Sequence, residues 1–142
     1  MNDLYLAKQF MENEELAIAI VKDGKCIYKS KKRGIYPLYI AVTQLSLIME
    51  GSSAADKVIG RGAALLYKYT KVRNIYSKMI SEGTKEIFEE SGITYESEKI
   101  VPYIMNREKT GMCPVETLSY QAKNIEELLA NIEDFLKKIN LL

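Results

Sequence analysis

The chain contains no histidine, no tryptophan and only two cysteines in 142 residues. Histidine is the usual side chain for proton transfer near neutral pH and the commonest metal ligand. Its absence excludes zinc sites of the His-Cys-Cys type and nucleophiles activated by a neighbouring histidine. An enzyme with this sequence has to use cysteine, aspartate, glutamate, lysine or tyrosine. The sequence predicts neither a metal site nor a cofactor.

Long hydrophobic runs and an excess of one charge are also missing. The longest purely aliphatic stretch, residues 16–21, is far shorter than the ~20 residues of a membrane-spanning helix. With 20 Lys and Arg against 19 Asp and Glu, the net charge is +1, which argues against a nucleic acid or a membrane as partner. Two cysteines do not make the disulfide framework of a small secreted domain, so we expect a cytoplasmic protein.

The order of predicted elements indicates an α/β fold in a single domain over residues 1–142. Asp23-Gly24 between two apolar runs predicts a β-hairpin, and residues 72–80 and 93–101 read as strands on either side of a helix. Further helices are predicted over residues 3–12, 38–49 and 53–66, and after Pro114 and Asn124. We therefore expect a three-layer α/β sandwich, in which a mixed sheet of four or five strands carries helices on both faces.

Cys113 is the first candidate for a functional residue. Because Pro114 follows it, the thiol lies at or near the N-cap of a helix, where free backbone N–H groups and the helix dipole stabilise a thiolate. The alternative is a buried small hydrophobic residue beside Met112. Glu116 is either an acid that caps this helix or a general base beside the thiol, and capping is the favoured interpretation.

The second candidate region is the helix predicted to begin at Ser53. Ser53 and Asp56 have the spacing of a capping box, which places Asp56 and Lys57 in the first turn. Gly60 and Gly62 then lie in the helix interior, where each glycine costs about 1 kcal/mol relative to alanine. Close packing against the sheet explains Gly62, whereas Gly60 is free to face a ligand.

Two polar loops give weaker signals. Asn106 and Arg107 precede Cys113 and could hold an anionic or amide-bearing group, although a solvated turn explains them equally well. Four of residues 29–33 are basic, and a solvated loop is the favoured interpretation of that run over nucleic-acid binding.

Four segments carry a resemblance to a known family: RGIYPL at 33–38, SAADKVIG at 53–60, VPYIMNR at 101–107 and TGMCP at 110–114. They resemble an uncharacterised prokaryotic family, the domain of unknown function numbered 1893, which is placed within the cytidine deaminase-like fold. The resemblance covers most of the chain, and TGMCP is its most specific part. It implies a sheet sandwiched by helices, with a site where the predicted Asp56 helix begins.

The sequence departs from the metal-binding pattern of true deaminases. Those enzymes place a His or Cys with a nearby Glu at one helix start and Pro-Cys-x-x-Cys at the next, so that a zinc-bound water attacks the base. Here residues 53–57 and 81–84 contain no histidine or cysteine, and Cys113-Pro114 has the reverse order. The resemblance therefore does not extend to zinc-dependent deamination.

Two functions remain open from the sequence. The first is a small-molecule site, for a nucleotide-like or amide-bearing ligand, with Cys113 and Asp56 as the catalytic candidates if the protein is an enzyme. The second is a non-catalytic regulatory or ligand-sensing module on the same scaffold. The predicted ligand-contacting residues are Ser53, Lys57, Gly60, Asn106, Arg107 and Glu116. Helix-rich faces and ten tyrosines are compatible with a homodimer.

Overall fold

The computed structural model describes residues 2–142, and its centre is a mixed β-sheet. The strands are β1 (Ile18–Lys22), β2 (Lys25–Ser30), β3 (Ser53–Ile59), β4 (Asn74–Ser81), β5 (Thr94–Ser97) and β6 (Ile100–Val101). β1 lies between β2 and β3 and is antiparallel to both, whereas β4 is parallel to β3. β5 pairs with the first part of β4 and β6 with its end, both on the edge of β4 that faces away from β3. The sheet is therefore five strands wide.

Helices cover both faces of the sheet. They are α1 (Asp3–Asn13), α2 (Tyr36–Met49), α3 (Arg61–Thr70), α4 (Glu82–Ser91), α5 (Pro114–Gln121) and α6 (Ile125–Lys138). α1 packs alone on one face, where Leu4, Ala7 and Met11 join a small apolar core. The other five helices contribute to the larger core on the opposite face, which confirms the predicted three-layer sandwich. None of the helices among residues 2–142 combines the length and apolarity needed to cross a membrane.

Several predicted turns and helix ends are confirmed. Asp23 and Gly24 both have positive φ, 51° and 77°, as the two central residues of a type I′ hairpin turn require. The Ser81 hydroxyl caps α4 by accepting from the Thr84 amide at 3.2 Å, and Gly92 ends that helix in the left-handed conformation. Such side-chain caps satisfy N–H groups that have no partner inside the helix.

The helix predicted to begin at Ser53 is wrong, because residues 53–59 form the strand β3. β3 pairs with β1 on one side and β4 on the other, and Ala54, Ala55 and Ile59 are fully buried. Strand pairing on both sides and burial on both faces outweigh the helix propensity of alanine. The spacing of the apolar residues fits a helix as well as it fits a short buried strand, which periodicity alone does not separate.

The second candidate region therefore lies at the end of a strand and not at the start of a helix. Asp56 and Lys57 lie within β3. Gly60 is the N-cap of α3, and Gly62 lies in the first turn of that helix. The residues predicted for a helix start therefore lie on either side of a strand-to-helix turn.

The single strand predicted over residues 93–101 is also wrong, since it is split into β5 and β6. At the break, the Ser97 hydroxyl accepts from the Lys99 amide at 3.3 Å and donates to the Lys99 carbonyl at 2.8 Å. Local bonds of this kind compete with strand pairing, so the ladder is interrupted at Glu98.

Candidate functional site

A cavity of about 370 Å³ lies where β3 ends and α3 begins, and the start of α2 and the start of α5 close its sides. Its walls are mostly apolar, and its polar side chains are few. The apolar walls include Ile18, Ile35, Leu38, Val58, Ile104 and Val115. The residues with polar or reactive side chains are Arg33, Asp56, Lys57, Cys113 and Glu116. The carboxyl ends of parallel strands are the usual ligand position in α/β sheets, and the volume falls in the range of small-molecule sites.

Asp56 is the carboxyl group on the β3 side of the cavity. Its Oδ2 accepts a hydrogen bond of 2.7 Å from the hydroxyl of Tyr67, a fully buried residue of α3. Burial raises the pKa of Asp56 to about 7, although the bonds from Tyr67 and the Val58 backbone act in the opposite direction. Burial likewise raises the pKa of Tyr67 well above its ordinary value, so that phenol stays a donor. A carboxyl group that titrates near pH 7 can take up or release a proton under physiological conditions.

Glu116 is the second carboxyl group of the cavity, and its surroundings are different. The side chain is buried, one oxygen accepts a short bond from the Arg61 amide, and the other accepts from the Ile104 amide at 3.0 Å. Glu116 therefore caps α3 rather than its own helix α5, so the predicted local cap is wrong. Gly60, the N-cap residue of α3, has no side chain with which to cap it, so an acid from another helix supplies the missing acceptor.

The two glycines of this turn allow close approach of α5. A Cβ atom added at Gly60 would lie 2.6 Å from Oε1 of Glu116, and one added at Gly62 would lie 2.7 Å from Cγ1 of Val115. Close packing at Gly62 is confirmed, although the neighbour is α5 and not the sheet. Gly60 lines the cavity and also makes room for the Glu116 carboxylate.

Cys113 is the N-cap residue of α5, as predicted from Pro114. It is half-buried, packs against the larger core and lines the cavity. Its backbone amide donates to the Ile104 carbonyl at 2.8 Å, and its side chain makes no capping hydrogen bond. The sequence left open whether Cys113 packs in the apolar core or lies at a functional site. In the structure the residue contacts the core and also lines the cavity.

Three predicted ligand-contacting residues lie outside the cavity. The Asn106 side chain accepts from the Thr110 amide at 3.0 Å and donates to the Thr110 hydroxyl at 3.1 Å, which stabilises a turn. Arg107 is exposed in that turn. Ser53 lies at the opposite end of β3, where its hydroxyl accepts from Asn74 at 3.2 Å. The structure thus brings together Asp56, Lys57, Gly60, Cys113 and Glu116, but not Ser53, Asn106 or Arg107.

Sequence reasoning misses two residues of the site, Arg33 and Tyr67. Arg33 belongs to a basic run for which solvation is the simpler explanation, and only the fold shows that it reaches the cavity. Tyr67 lies eleven residues after Asp56. That spacing identifies a partner only once the strand-to-helix turn at Gly60 is known. Among residues 2–142, no group of three or more His, Cys, Asp or Glu side chains could hold a metal ion.

Comparison with known proteins identifies the family. The family model of a domain of unknown function, DUF1893, also called TM1506, matches residues 6–136. The chain belongs to the DUF1893 family. It is similar to the crystal structure of a DUF1893 family protein (TM1506) from Thermotoga maritima at 2.70 Å resolution, with 26% sequence identity and a TM-score of 0.83. The similarity covers 94% of this chain and 89% of that chain. No curated protein matches the sequence.

The family match confirms the resemblance to DUF1893, and it places the whole cavity inside the DUF1893 domain. Every residue that lines the cavity falls between Ala17 and Glu116, within the matched region. DUF1893 is described as a domain of unknown function, so no activity is transferred from it. The function has to be argued from the site itself.

Proposed function

We propose that the protein binds a small organic molecule in this cavity. The ligand has an apolar body and an N–H donor group, such as an amide, amidine or amine, directed at Asp56. The observation that carries the proposal is a carboxyl group with spare acceptor capacity, placed among apolar walls in a cavity of about 370 Å³. Binding sites for small molecules combine such walls with a few polar groups that fix orientation.

Asp56 is the better ligand contact of the two carboxyl groups. Both oxygens of Glu116 accept backbone amides, so that side chain is occupied in holding α3 and the segment before α5. Asp56 accepts one side-chain hydrogen bond, from Tyr67 at Oδ2, and one from the Val58 backbone. Because a carboxylate offers about four acceptor sites, Asp56 keeps capacity for a ligand donor.

The charge of Asp56 favours the same ligand class. Above its pKa of about 7 the group is an anion in a mostly apolar cavity. A partly buried carboxylate without a cationic partner is unfavourable, and a cationic or N–H-bearing ligand compensates it. We therefore expect an amidine to bind more tightly as pH rises through 7, because ionised Asp56 is the better acceptor.

Isothermal titration calorimetry with benzamidine, benzamide and benzylamine tests the proposal. We expect at least one of the three to bind wild-type protein at pH 8 and to bind Asp56→Asn about tenfold more weakly, since hydrogen bonds to charged groups contribute about 1.5–3 kcal/mol. Asp134→Asn is the matched control, because Asp134 is exposed on α6 and does not line the cavity. Binding to none of the three fragments, or equal affinity for wild type and Asp56→Asn, would overturn the proposal.

Thiol chemistry on the bound molecule is a second candidate function, favoured by the position of Cys113 in the same cavity. The alternative is a regulatory or sensing module that binds the molecule without reacting with it. Mass spectrometry after treatment with 4-nitrophenyl acetate separates the two, because a reactive Cys113 forms a thioester as 4-nitrophenolate leaves. The control is a free cysteine derivative, N-acetylcysteine, because burial raises the pKa of the Cys26 thiol and slows its reaction. Faster acylation of Cys113 supports the enzyme, and equal rates support the sensor.

Two finer predictions from the sequence are kept as part of this proposal. One is the relationship to the cytidine deaminase-like fold, without its zinc chemistry. The other is the homodimer, which multi-angle light scattering tests directly through the mass in solution. A monomer across the micromolar range would contradict the homodimer and leave the ligand site unaffected.

A further inference from the structure

We infer that the ligand also carries an anionic group, a carboxylate or a phosphate, and that Arg33 binds this group at the rim of the cavity. The inference rests on the proposed function of the Asp56 cavity and adds a second polar contact to it. It assigns a role to the basic run of residues 29–33, for which the sequence suggests only a solvated loop. The ligand class becomes a molecule with an N–H donor at one end and an anion at the other.

Arg33 is the member of the basic run that lines the cavity. Lys29 pairs with Glu14 at 2.7 Å, and the ammonium of Lys32 lies 4.8 Å from the ring centroid of Tyr36. Arg33 is exposed, and none of the salt bridges among residues 2–142 includes it. Its charge is thus not used by a carboxylate of the chain and is available at the rim.

Lys57 is the other cation that lines the cavity, but it is the weaker candidate. It follows Asp56 directly in β3, where consecutive side chains point to opposite faces of the sheet. Asp56 contacts Tyr67 of α3, on the face that carries the larger core. Arg33, in the loop that leads into α2 on this same face, is therefore the cation placed to act together with Asp56.

The geometry of the loop supports an anion contact at Arg33. Gly34 has a φ of +80°, a conformation that favours glycine, and it connects Arg33 to the first turn of α2. α2 has no side-chain cap, so the amides of its first turn other than Pro37, which has no N–H, add positive potential beside the guanidinium. A guanidinium binds carboxylate and phosphate groups through two parallel hydrogen bonds, which fixes their orientation.

Two residues that line the cavity, Asp56 and Arg33, carry opposite charge, and none of the salt bridges among residues 2–142 joins them. Asp56 is half-buried at the β3 side, and Arg33 is exposed at the rim. A ligand with only the N–H donor leaves the guanidinium solvated, whereas one that also carries an anion uses both contacts. Opposite charges on protein and ligand also exclude competitors, because a group of the wrong sign at either end is repelled.

Calorimetry at pH 8 and low salt with matched ligands tests the inference. Benzamidine provides the donor alone, 4-amidinobenzoate adds a carboxylate, and (4-amidinophenyl)phosphonate adds a phosphate-like group. In wild type we expect one of the two anionic ligands to bind about tenfold more tightly than benzamidine, a gain typical of a charge-assisted contact. Which anion gives the larger gain distinguishes a carboxylate ligand from a phosphate ligand.

In Arg33→Gln we expect each anionic ligand to bind no more tightly than benzamidine, so that the affinity ratio within this variant falls to about one. Arg107→Gln, which removes an exposed arginine outside the cavity, should keep the gain. The inference is overturned if neither anion improves binding to wild type, or if the gain survives in Arg33→Gln. A failure of benzamidine, benzamide and benzylamine to bind wild type overturns the proposed function instead, so the two failures are distinguishable.

Discussion

Two carboxyl groups line one cavity, and their surroundings divide the site into a structural side and a ligand side. Glu116 is buried, and each of its oxygens accepts a backbone amide. Asp56 is half-buried, has one side-chain partner and has a raised pKa. This contrast shows that the position of a carboxyl group in a cavity does not by itself indicate ligand binding. The unused hydrogen-bonding capacity of a polar group is the better criterion.

At a fixed pH, the largest effect that tests this comparison is expected for Glu116→Ala. The substitution leaves the Arg61 and Ile104 amides without their acceptor, and we expect the free energy of unfolding to fall by about 3 kcal/mol. Urea denaturation measures this loss. Glu108→Ala, at an exposed loop position, should change stability by less than about 0.5 kcal/mol. A loss below about 1 kcal/mol for Glu116→Ala would show that the carboxylate does not hold the α3 start.

A smaller effect is expected when a methyl group is added beside the same carboxylate. Gly60→Ala places a Cβ 2.6 Å from Oε1 of Glu116, so the carboxylate or the helix start must shift. We expect a loss of about 1–3 kcal/mol, which is typical of overpacking. Gly111→Ala is the matched control, because nothing lies within 4 Å of its added Cβ. Equal stability of the two variants would contradict the close approach of α5 to α3.

The Asp56 side of the comparison predicts a dependence of stability on pH. The pKa of about 7 in the folded protein lies above the ordinary value of 3.8, so between these values the folded state holds a proton that the unfolded chain releases. The stabilisation that this proton on Asp56 gives the folded state is therefore fully present below pH 4 and is lost as pH rises through 7. Relative to Asp56→Asn, wild type should lose up to about 1.4 kcal/mol per pH unit in this window. Urea melts of both proteins from pH 4 to 8 measure the difference, and parallel curves would contradict a raised pKa.

The smallest effect is expected outside the cavity, at Asn106→Ala. This substitution removes two exposed hydrogen bonds to Thr110, so stability should fall by about 0.5–1 kcal/mol. The affinity for benzamidine should not change, because Asn106 does not line the cavity. A tenfold loss of affinity for benzamidine would instead support the prediction from the sequence that Asn106 contacts the ligand.

Much of the fold could be predicted because its signals are local. The Asp23-Gly24 turn, the Ser81 cap and Pro114 after Cys113 each act on neighbouring residues, and the structure has all three features. The strand at residues 53–59 could not be predicted in this way, because burial between β1 and β4 decides it. Local spacing in that segment equally fits a helix.

The sequence predicts several residues of the candidate site, but it does not predict how they come together in space. Asp56 and Gly60 are far from Cys113 and Glu116 in the chain, and the sequence gives several of these residues other local roles. All four nevertheless line one cavity. The sequence suggests Arg107, which is close to Cys113 in the chain, whereas the structure places Arg33 at the cavity. Contacts such as Glu116 with Arg61, 55 residues apart, depend on how α3 and α5 pack.

Amide NMR of labelled wild type and Asp56→Asn, titrated with benzamidine at pH 8, tests whether Asp56 is the ligand contact of the cavity. We expect chemical-shift changes concentrated at cavity amides such as Gly60, Ala63 and Ile104 in wild type, and Asp56→Asn should need about tenfold more benzamidine for the same changes. Changes concentrated at the other end of β3, around Ser53 and Asn74, would contradict it. Equal changes in both proteins at the cavity amides would also contradict it, because Asp56 would then not be the ligand contact.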